Sequence, residues 1–275
     1  MSKIKTYQFK NFLVYLTDAT ETAKEAIKAQ QTQSLSSYIL AKAINLFSPL
    51  NRIITKNGKV TTLIRSEGKI QSLVVDTNED NSVKAYISNP NIIWDGNLNE
   101  ALTMFGFRNG FLKIQLIDKY NKYESEIKME QSTLVDDLSM FFYQSQQIKN
   151  AVLSCVKFDE NENLIHSSSA IFTLLPQTSD HDVDWVEQFL IDNPYYVLGL
   201  EEFEKLLLDN GAQLMGENTF EWKCNCSKEK YESAIKLLSK EEIDKLIQEY
   251  GFIEAQCHYC HNKYKFFKDD FKEIN

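Results

Sequence analysis

The chain has 275 residues with 30 lysines and arginines against 39 aspartates and glutamates, and its 43% hydrophobic residues exclude a chain that is disordered throughout. The formal net charge of −9, with no run of five or more basic residues, disfavours a nucleic-acid partner. With only nine glycines, the sequence contains no G-x-G-x-x-G, P-loop or G-x-S-x-G motif, and H-E-x-x-H is also absent, so it lacks the common nucleotide-binding and hydrolase motifs.

The N-terminal end of the chain indicates where the protein resides. Charges at Lys3 and Lys5 precede any hydrophobic region, unlike the start of a secretory signal. No stretch reaches the roughly 18 consecutive apolar residues of a membrane-spanning helix. We therefore expect a cytoplasmic protein with no membrane partner.

The first part of the chain alternates strand-like and helix-like patterns. The β-rich segments cover residues 6–16, 61–65, 72–76 and 83–88, and the helical segments cover 21–31 and 34–47. The second helical segment places Leu35, Ile39, Ala43 and Leu46 at helical spacing before Pro49 ends it. This pattern predicts an antiparallel meander with a helix lying on the sheet.

A second group of predicted elements follows from residue 111 to residue 175. The predicted strands cover 111–118, 123–129, 151–158 and 164–175, and a helix covers 134–147. Leu134, Leu138 and Phe141 lie on one face of that helix, and Thr133 can cap it. Together the two groups predict a fold of class α+β that begins with a mixed α/β domain.

Composition changes at Pro176, after which residues 177–184 are polar and acidic, as in a domain boundary. From Trp185 to Leu208 the pattern is helical and rich in large apolar groups, with a break at Pro194. One interpretation is that these helices pack into the core of the first domain. The other is that their apolar face is covered in one state and exposed in another, which requires a switch.

Four of the five cysteines lie near the C-terminus in two close pairs, Cys224 with Cys226 and Cys257 with Cys260. Each pair can present two thiolates about 2.3 Å from one metal, as tetrahedral zinc requires. In the cytosol, where thiols stay reduced, this clustering favours a metal over a disulfide framework. The sequence therefore predicts one bound Zn²⁺.

The segment between the pairs predicts a small domain that depends on its metal. Residues 227–238 and 239–250 have the pattern of two short helices, and the second opens with a capping box formed by Ser239 and Glu242. So small a core is marginal alone, so metal binding is expected to supply folding free energy of about 10–16 kcal/mol.

Other interpretations of the cysteines are weighed against zinc. The string from Cys257 to His261 has the form of a c-type haem attachment motif, which needs export and leaves the first pair unexplained. A thioredoxin-like pair should open a helix, whereas residues 261–267 look like a return strand. His258 or His261 could replace a cysteine as ligand, although four thiolates already complete the shell.

The fifth cysteine, Cys155, lies in an apolar strand, where a free cysteine usually serves as a small buried hydrophobic residue.

The C-x-C pair also indicates reversible redox chemistry. A disulfide across one intervening residue is strained and therefore comparatively easy to reduce. If an oxidant attacks a bound thiolate, its neighbour can resolve the sulfenic acid, which would join Cys224 to Cys226 and Cys257 to Cys260 and expel the metal. The thiolates would then be the sensor, since zinc has no redox chemistry.

At these residues the sequence resembles the redox-regulated holdase chaperones known as the 33-kDa heat-shock protein family. The similar segments are Trp222-Lys-Cys-Asn-Cys-Ser-Lys-Glu-Lys, the two-helix spacer, Ala255-Gln-Cys-His-Tyr-Cys-His-Asn-Lys-Tyr-Lys-Phe, and upstream Leu63-Ile-Arg-Ser-Glu-Gly, Ser72-Leu-Val-Val-Asp, Tyr86-Ile-Ser-Asn-Pro, residues 138–148 and Phe172-Thr-Leu-Leu-Pro. The resemblance implies a metastable linker, four cysteines that are both ligands and sensor, and activation by oxidative unfolding, often with dimerisation. It also implies binding of unfolding proteins without ATP hydrolysis.

From the residues and the resemblance together we expect an N-terminal chaperone core at 1–178, a helical metastable linker at 179–218 and a C-terminal zinc domain at 219–275. The expected function is that of a redox-regulated holdase, not an enzyme, which is inactive when reduced and zinc-bound and is a candidate homodimer when oxidised. The residues that we expect to contact unfolded client proteins are Trp185, Phe189, Tyr195, Tyr196 and Phe203.

Two other functional classes remain open at this point. In an adaptor, the zinc knuckle would be purely structural and the first domain would bind a fixed partner. An enzyme with an unrecognised active site is the other class, although the sequence offers no convincing nucleophile and base, and His166 and His181 look like ordinary strand or surface histidines.

Overall fold

The computed structural model describes residues 1–55, 58–94, 107, 109–119, 122–129, 133–176 and 178–271. By its internal contacts the chain divides into two compact units, Met1–Trp222 and Lys223–Asn275. Each unit has its own apolar core.

The larger unit contains ten strands and six helices in its described residues. The strands are β1 (Ser2–Phe9), β2 (Phe12–Asp18), β3 (Lys59–Arg65), β4 (Ser72–Thr77), β5 (Ser82–Ile87), β6 (Gly110–Ile117), β7 (Lys122–Met129), β8 (Asn150–Phe158), β9 (Leu164–Leu174) and β10 (Gln213–Trp222). The helices are α1 (Thr20–Gln30), α2 (Ser34–Phe47), α3 (Leu50–Ile53), α4 (Leu134–Gln146), α5 (Asp180–Asp192) and α6 (Tyr195–Asp209).

All ten strands form one sheet in the order β7-β6-β3-β4-β5-β10-β1-β2-β9-β8. Neighbouring strands are antiparallel except β5 and β10, which pair in parallel through Glu221 and Trp222. The predicted meander of β3, β4 and β5 is confirmed. Strand β10 therefore joins two groups of strands that the chain builds separately.

Helix α2 lies against the sheet as its apolar spacing predicted. Leu35, Ile39, Ala43 and Leu46 are all buried in a core that helices α1 and α4 also enter. Thr133 caps α4 by accepting a hydrogen bond from the backbone N–H of Asp136. The combination of one mixed sheet with packed helices confirms the α+β class.

A second apolar core lies between the linker helices and strands β1, β2, β8 and β9. Val186 and Phe189 of α5, with Phe203 and Leu207 of α6, are buried in it. The interpretation that these helices pack on the first domain is therefore confirmed for this structure.

Two sequence-based assignments are wrong. The β-rich segment 6–16 is a hairpin rather than one strand, because Lys10 adopts a left-handed φ of 50° and turns the chain between β1 and β2. Residues 213–218, placed in the helical linker, belong to strand β10. This strand shows no two-residue apolar alternation, since its only buried residue is Phe220, and its conformation depends on backbone pairing with β1.

The smaller unit is built from two helices and a hairpin. Its described elements are α7 (Lys228–Ile235), α8 (Lys240–Tyr250), β11 (Ile253–Gln256), β12 (Lys263–Phe266) and a 3₁₀ turn (Lys268–Phe271). The predicted capping box of Ser239 and Glu242 is present at the start of α8. The buried core of this unit consists of Ile243, Phe266 and Phe271.

Candidate metal centre and the linker surface

The four C-terminal cysteines converge within the smaller unit. Cys224 and Cys226 lie just before α7, and Cys257 and Cys260 lie in the turn between β11 and β12. Their sulfur atoms all lie within 4.8 Å of one another, and none of the four is joined in a disulfide. Sequence reasoning thus selected four residues, up to 36 positions apart, that the fold places in one cluster.

The spacing of the sulfurs fits a single tetrahedral metal. With ligands about 2.3 Å from zinc, adjacent sulfurs of a tetrahedron are about 3.8 Å apart. Here the sulfurs of Cys224 and Cys257 are 3.6 Å apart, and those of Cys226 and Cys260 are 3.3 Å apart. The four cysteines are therefore placed to hold a metal ion, and an all-thiolate shell is a set that zinc prefers.

A tight backbone turn presents the second pair. The N–H of Cys257 donates to the carbonyl of Asn262, and the N–H of His261 donates to the carbonyl of Cys257, both at 2.9 Å. His261 takes a left-handed φ of 58°, which reverses the chain into β12. A strand rather than a helix follows the C-x-x-C segment, which excludes the thioredoxin-like interpretation.

The thiols differ in how readily they ionise. Burial opposes ionisation of Cys257, but the backbone N–H groups of Cys260 and Tyr259 and the hydroxyl of Tyr231 outweigh it and lower the pKa to about 7. Burial raises the pKa of Cys260 to about 11 and raises that of Cys224 further. Cys257 therefore has more thiolate character than Cys224 or Cys260 when no metal is bound.

Two tyrosines beside the cluster were missed from the sequence. The hydroxyl of Tyr264 lies 3.1 Å from the sulfur of Cys226, and this hydrogen bond raises the pKa of Tyr264 to about 12. The rings of Tyr231 and Tyr264 are 5.3 Å apart. Their spacing from the cysteines gave no signal, because α7 and β12 bring them together only in the folded unit.

The remaining candidate ligands lie outside the cluster. Among the described residues, the four-sulfur group includes neither His258 nor His261. The presence of Cys224 and Cys226 in one cluster with the C-x-x-C-H segment favours a metal over haem attachment.

The fifth cysteine, Cys155, lies in β8 of the larger unit, where burial raises its pKa. Its sulfur is 3.9 Å from the carbonyl of Tyr196. The prediction that Cys155 is a small buried residue is confirmed.

Four of the five predicted client-contact residues form one aromatic cluster. Trp185 stacks on Phe189 with ring centres 5.3 Å apart, Phe189 lies 6.2 Å from Phe203, and Phe203 lies 5.0 Å from Tyr195. Tyr196 is not part of it, because its side chain is 69% exposed on the outer face of α6. Two strand residues extend the cluster: Phe9 of β1 contacts Trp185 and Phe189, and Phe172 of β9 contacts Phe203.

Buried polar contacts, also missed from the sequence, hold α6 to the sheet. The Tyr195 hydroxyl donates to Ser168 Oγ at 2.7 Å, and Ser168 lies 2.6 Å from Nε2 of His166. Glu204 accepts hydrogen bonds from Lys5 Nζ, at 2.7 and 3.0 Å, and from the hydroxyl of Tyr7. The contacts of Tyr195 and Glu204 join residues far apart in sequence, so no local pattern predicts them.

Ser168 and His166 form a hydroxyl–imidazole pair that the sequence analysis did not find. The side chain of Ser168 is fully buried and already bonded to both Tyr195 and His166. A nucleophile must reach its substrate, so this pair is a structural contact rather than a catalytic one.

Comparison with known proteins places the chain in a family. The family model described as Hsp33 protein matches residues 5–267. The chain is 26% identical to a 33 kDa chaperonin of Bacillus pumilus, over 94% of this chain and 92% of that protein. It is 27% identical to a 33 kDa chaperonin of Listeria monocytogenes, over 95% of this chain and 93% of that protein.

A solved structure supports the same fold. The crystal structure of the 33 kDa chaperonin of Thermotoga maritima superposes with a TM-score of 0.82 at 18% identity, covering 99% of this chain and 97% of that one. No described helix combines the length and apolar character that crossing a bilayer requires. Because the family model matches nearly the whole chain, this protein belongs to the Hsp33 family and is a chaperone.

Proposed function

We propose that this protein is a redox-regulated, ATP-independent holdase that is inactive when reduced and zinc-bound. The observation that carries the proposal is the convergence of four cysteine sulfurs within 4.8 Å of one another. Cys224, Cys226, Cys257 and Cys260 would hold one Zn²⁺, which supplies structural coordination and no redox chemistry of its own. The proposed site of action is the cytosol, where thiols stay reduced until stress.

Oxidation converts the ligands into disulfides. One thiolate attacks hydrogen peroxide and breaks its O–O bond, so that one oxygen becomes part of a sulfenic acid and the other leaves as hydroxide. The neighbouring thiolate then attacks the sulfenic sulfur, forms the S–S bond and displaces a second hydroxide. We propose that this joins Cys224 to Cys226 and Cys257 to Cys260. Each pair loses two electrons to one peroxide and no longer supplies thiolate ligands.

The proposed pairing follows from tethering rather than from sulfur distance. The sulfurs of Cys224 and Cys257, 3.6 Å apart, and those of Cys226 and Cys260, 3.3 Å apart, belong to different cysteine pairs. They are close together only while the smaller unit is folded. Once a first disulfide removes two ligands, the smaller unit loses that arrangement, and only partners tethered by one or two intervening residues stay close. Peptide mapping by mass spectrometry under non-reducing conditions tests this, since a Cys226 to Cys260 bridge would contradict it.

We propose that the linker is the segment that changes conformation when the cysteines are oxidised. We retain a functional division into a core at 1–178, a linker at 179–218 and a redox-sensing zinc domain at 219–275. Release of α5 and α6 would expose the cluster of Trp185, Phe189, Tyr195 and Phe203. Together with Tyr196, which is already exposed, this cluster would capture unfolding proteins through the hydrophobic effect. Oxidised protein is further proposed to form a homodimer.

An aggregation assay tests the switch. Light scattering of heat-denatured malate dehydrogenase should be suppressed by the oxidised, metal-free protein and not by the reduced, zinc-bound protein. Zinc release, followed with a chromogenic chelator, should accompany activation. Equal suppression by the reduced form would reject the switch, and resistance of the bound metal to peroxide would favour an adaptor with a structural zinc knuckle.

A further inference from the structure

Two tyrosine hydroxyls contact the four-cysteine cluster of the smaller unit. The hydroxyl of Tyr264 in β12 lies 3.1 Å from the sulfur of Cys226, which belongs to the first cysteine pair. The hydroxyl of Tyr231 in α7 is hydrogen-bonded to Cys257, which belongs to the second pair. Each cysteine pair thus contains a sulfur that a tyrosine hydroxyl contacts.

The hydroxyls are the donors of these two hydrogen bonds when a metal is bound. A coordinated cysteine is a thiolate without a proton, so its sulfur can only accept. A hydrogen bond to a thiolate is charge-assisted and draws negative charge away from the sulfur. Hydrogen bonds to coordinated sulfur tune metal centres in this way, and a sulfur with less charge is a weaker nucleophile.

Packing of the aromatic rings holds both hydroxyls in place. The ring centres of Tyr231 and Tyr264 are 5.3 Å apart, and both rings pack against the core of Ile243, Phe266 and Phe271. Because the rings rather than the hydroxyls make these apolar contacts, replacing either tyrosine by phenylalanine removes the hydrogen bond and keeps the packing.

Hydrogen bonding and burial distinguish the four sulfurs once a metal is bound, because all four are then thiolates. In the second pair, Cys257 is buried and accepts backbone N–H groups of its own turn as well as the tyrosine hydroxyl, whereas Cys260 is half-buried. In the first pair, Cys224 and Cys226 are both half-buried, and Cys224 accepts the backbone N–H of Cys226. A phenol is a more acidic donor than a backbone amide, so the tyrosine hydrogen bond draws more charge from Cys226.

On the basis of the proposed function, we infer that Tyr264 and Tyr231 are positioning residues of the redox switch. Each donates a hydrogen bond to one thiolate of a pair and thereby slows the attack of that sulfur on peroxide. Cys224 and Cys260 then react first: the sulfur bonds to one oxygen, the O–O bond breaks and hydroxide leaves. The protected thiolate of the pair attacks the sulfenic sulfur, forms the S–S bond and displaces a second hydroxide, so that two electrons pass to one peroxide.

Trapping of sulfenic acids in the full-length, zinc-loaded protein tests the role of the two tyrosines. Dimedone is present while a limiting amount of hydrogen peroxide is added, and peptide mapping by mass spectrometry locates the adducts. In the wild type we expect adducts mainly on Cys224 and Cys260. Tyr264→Phe should raise the ratio of adducts on Cys226 to those on Cys224 about threefold or more, because a hydrogen bond to a charged sulfur is lost.

Three further proteins separate the hydrogen bond from the fold. With 3-fluorotyrosine in place of Tyr264, the hydroxyl is a stronger donor, so the same ratio should fall below that of the wild type. Tyr231→Phe should leave the first pair unchanged and raise adducts on Cys257 relative to Cys260. Tyr250→Phe, at a side chain that is 62% exposed at the end of α8, is the matched control and should change neither pair. Thermal melts and zinc content check that fold and metal are retained.

Several results would overturn the role of the tyrosines. An unchanged ratio in zinc-loaded Tyr264→Phe, or an equal rise of adducts on all four cysteines, would do so. If Tyr264→Phe loses its zinc, the fluorotyrosine protein decides, and a ratio at or above that of the wild type rejects the role.

The holdase function is measured separately, as suppression of malate dehydrogenase aggregation by the same oxidised samples. If suppression persists while the adduct ratios ignore the hydroxyls, the role of the tyrosines is wrong and the holdase function stands. If the ratios respond and suppression is absent, the holdase function alone fails. If no cysteine reacts with peroxide, both fail.

Discussion

Glu204 on α6 contacts two side chains of strand β1 and so joins a linker helix to the sheet. Its carboxylate accepts hydrogen bonds from Lys5 and from Tyr7, and burial together with this contact raises the pKa of Tyr7 well above its usual range. Both partners of the ion pair are partly shielded from water. Removing one charge therefore leaves the other shielded and unpaired.

Glu204→Gln should destabilise the larger unit by about 1–3 kcal/mol. The expected result is a lower Tm in the reduced protein and a lower peroxide concentration at which α6 becomes sensitive to protease. Glu202→Gln, at an exposed position of the same helix, is the control and should leave both unchanged. Equal behaviour of the two variants would contradict a role for Glu204 in docking.

His166 makes the docking of α6 dependent on pH. Burial lowers the pKa of His166, although Asp18 and Glu201 oppose this while Lys157 adds to it. Since the folded state favours the neutral ring, docking is fully stable above the ordinary pKa of 6.5 and weakens as the pH falls below it. A protonated ring can only donate to Ser168 Oγ, which already accepts a hydrogen bond from the Tyr195 hydroxyl.

The Tm of the reduced protein should therefore fall between about pH 7 and pH 5, and His166→Gln should make that fall shallower. His181→Gln, an exposed histidine in α5, serves as the control and should retain the wild-type slope. An unchanged slope in the His166 variant would show that other groups set the pH dependence.

Among single residues, the sequence predicts sites whose members are close together in the chain. It does not predict contacts between residues that are distant in the chain. The four cysteines could be identified because their spacing within each pair is itself the requirement of the metal. Glu204 and Ser168 could not, because their partners Tyr7 and Tyr195 are distant in the chain and only the packing of α6 brings them together. Tyr196 follows Tyr195 in the same helical pattern, yet its side chain is exposed, so the pattern alone does not tell which of the two faces the sheet.

At the scale of the element, Gly199 interrupts helix α6. It adopts φ 78° and ψ 179°, a conformation that is nearly restricted to glycine. A Cβ at this position would meet no atom within 4 Å, so a substitution is opposed by backbone strain and not by a clash. The break thus separates Tyr195, bonded to Ser168, from Phe203 and Glu204 further along the helix.

Gly199→Ala should weaken linker docking by about 1–3 kcal/mol, because the native backbone becomes strained while the released linker does not. Under the proposed switch, the variant should suppress aggregation at a lower peroxide concentration than the wild type. Gly216→Ala is the control, since Gly216 lies in β10 without a positive φ and with open space around its Cα. A Gly199 variant with unchanged Tm and activation would show that the break carries no strain.

The elements themselves divide into those with a strong local pattern and those without one. Helix α2 could be predicted because it buries an apolar stripe at 3.6-residue spacing. Strand β10 could not, because its side chains are mostly exposed and its position depends on backbone pairing with β1 and β5. The joining of the two strand groups into one sheet therefore could not be predicted from periodicity.

At the scale of the whole molecule, the two units differ in how much core supports them. The larger unit has two extensive apolar cores, whereas the buried cluster of the smaller one contains three side chains among its described residues, Ile243, Phe266 and Phe271. A core of that size is marginal, so coordination of a metal by the four thiolates would supply most of the folding free energy, about 10–16 kcal/mol. The larger unit has no comparable dependence.

Removing the metal under reducing conditions should therefore unfold the smaller unit alone. Trypsin added to chelator-treated protein should cleave rapidly at Lys223, Lys228 and Lys230 and leave a resistant fragment ending near Trp222, because the sheet and its cores do not use the metal. Adding zinc back should restore protection, and Cys224→Ser should reproduce the chelated pattern without chelator. A smaller unit that resists trypsin without metal would contradict metal-dependent folding, and equal loss of the larger unit would show that the two units unfold together.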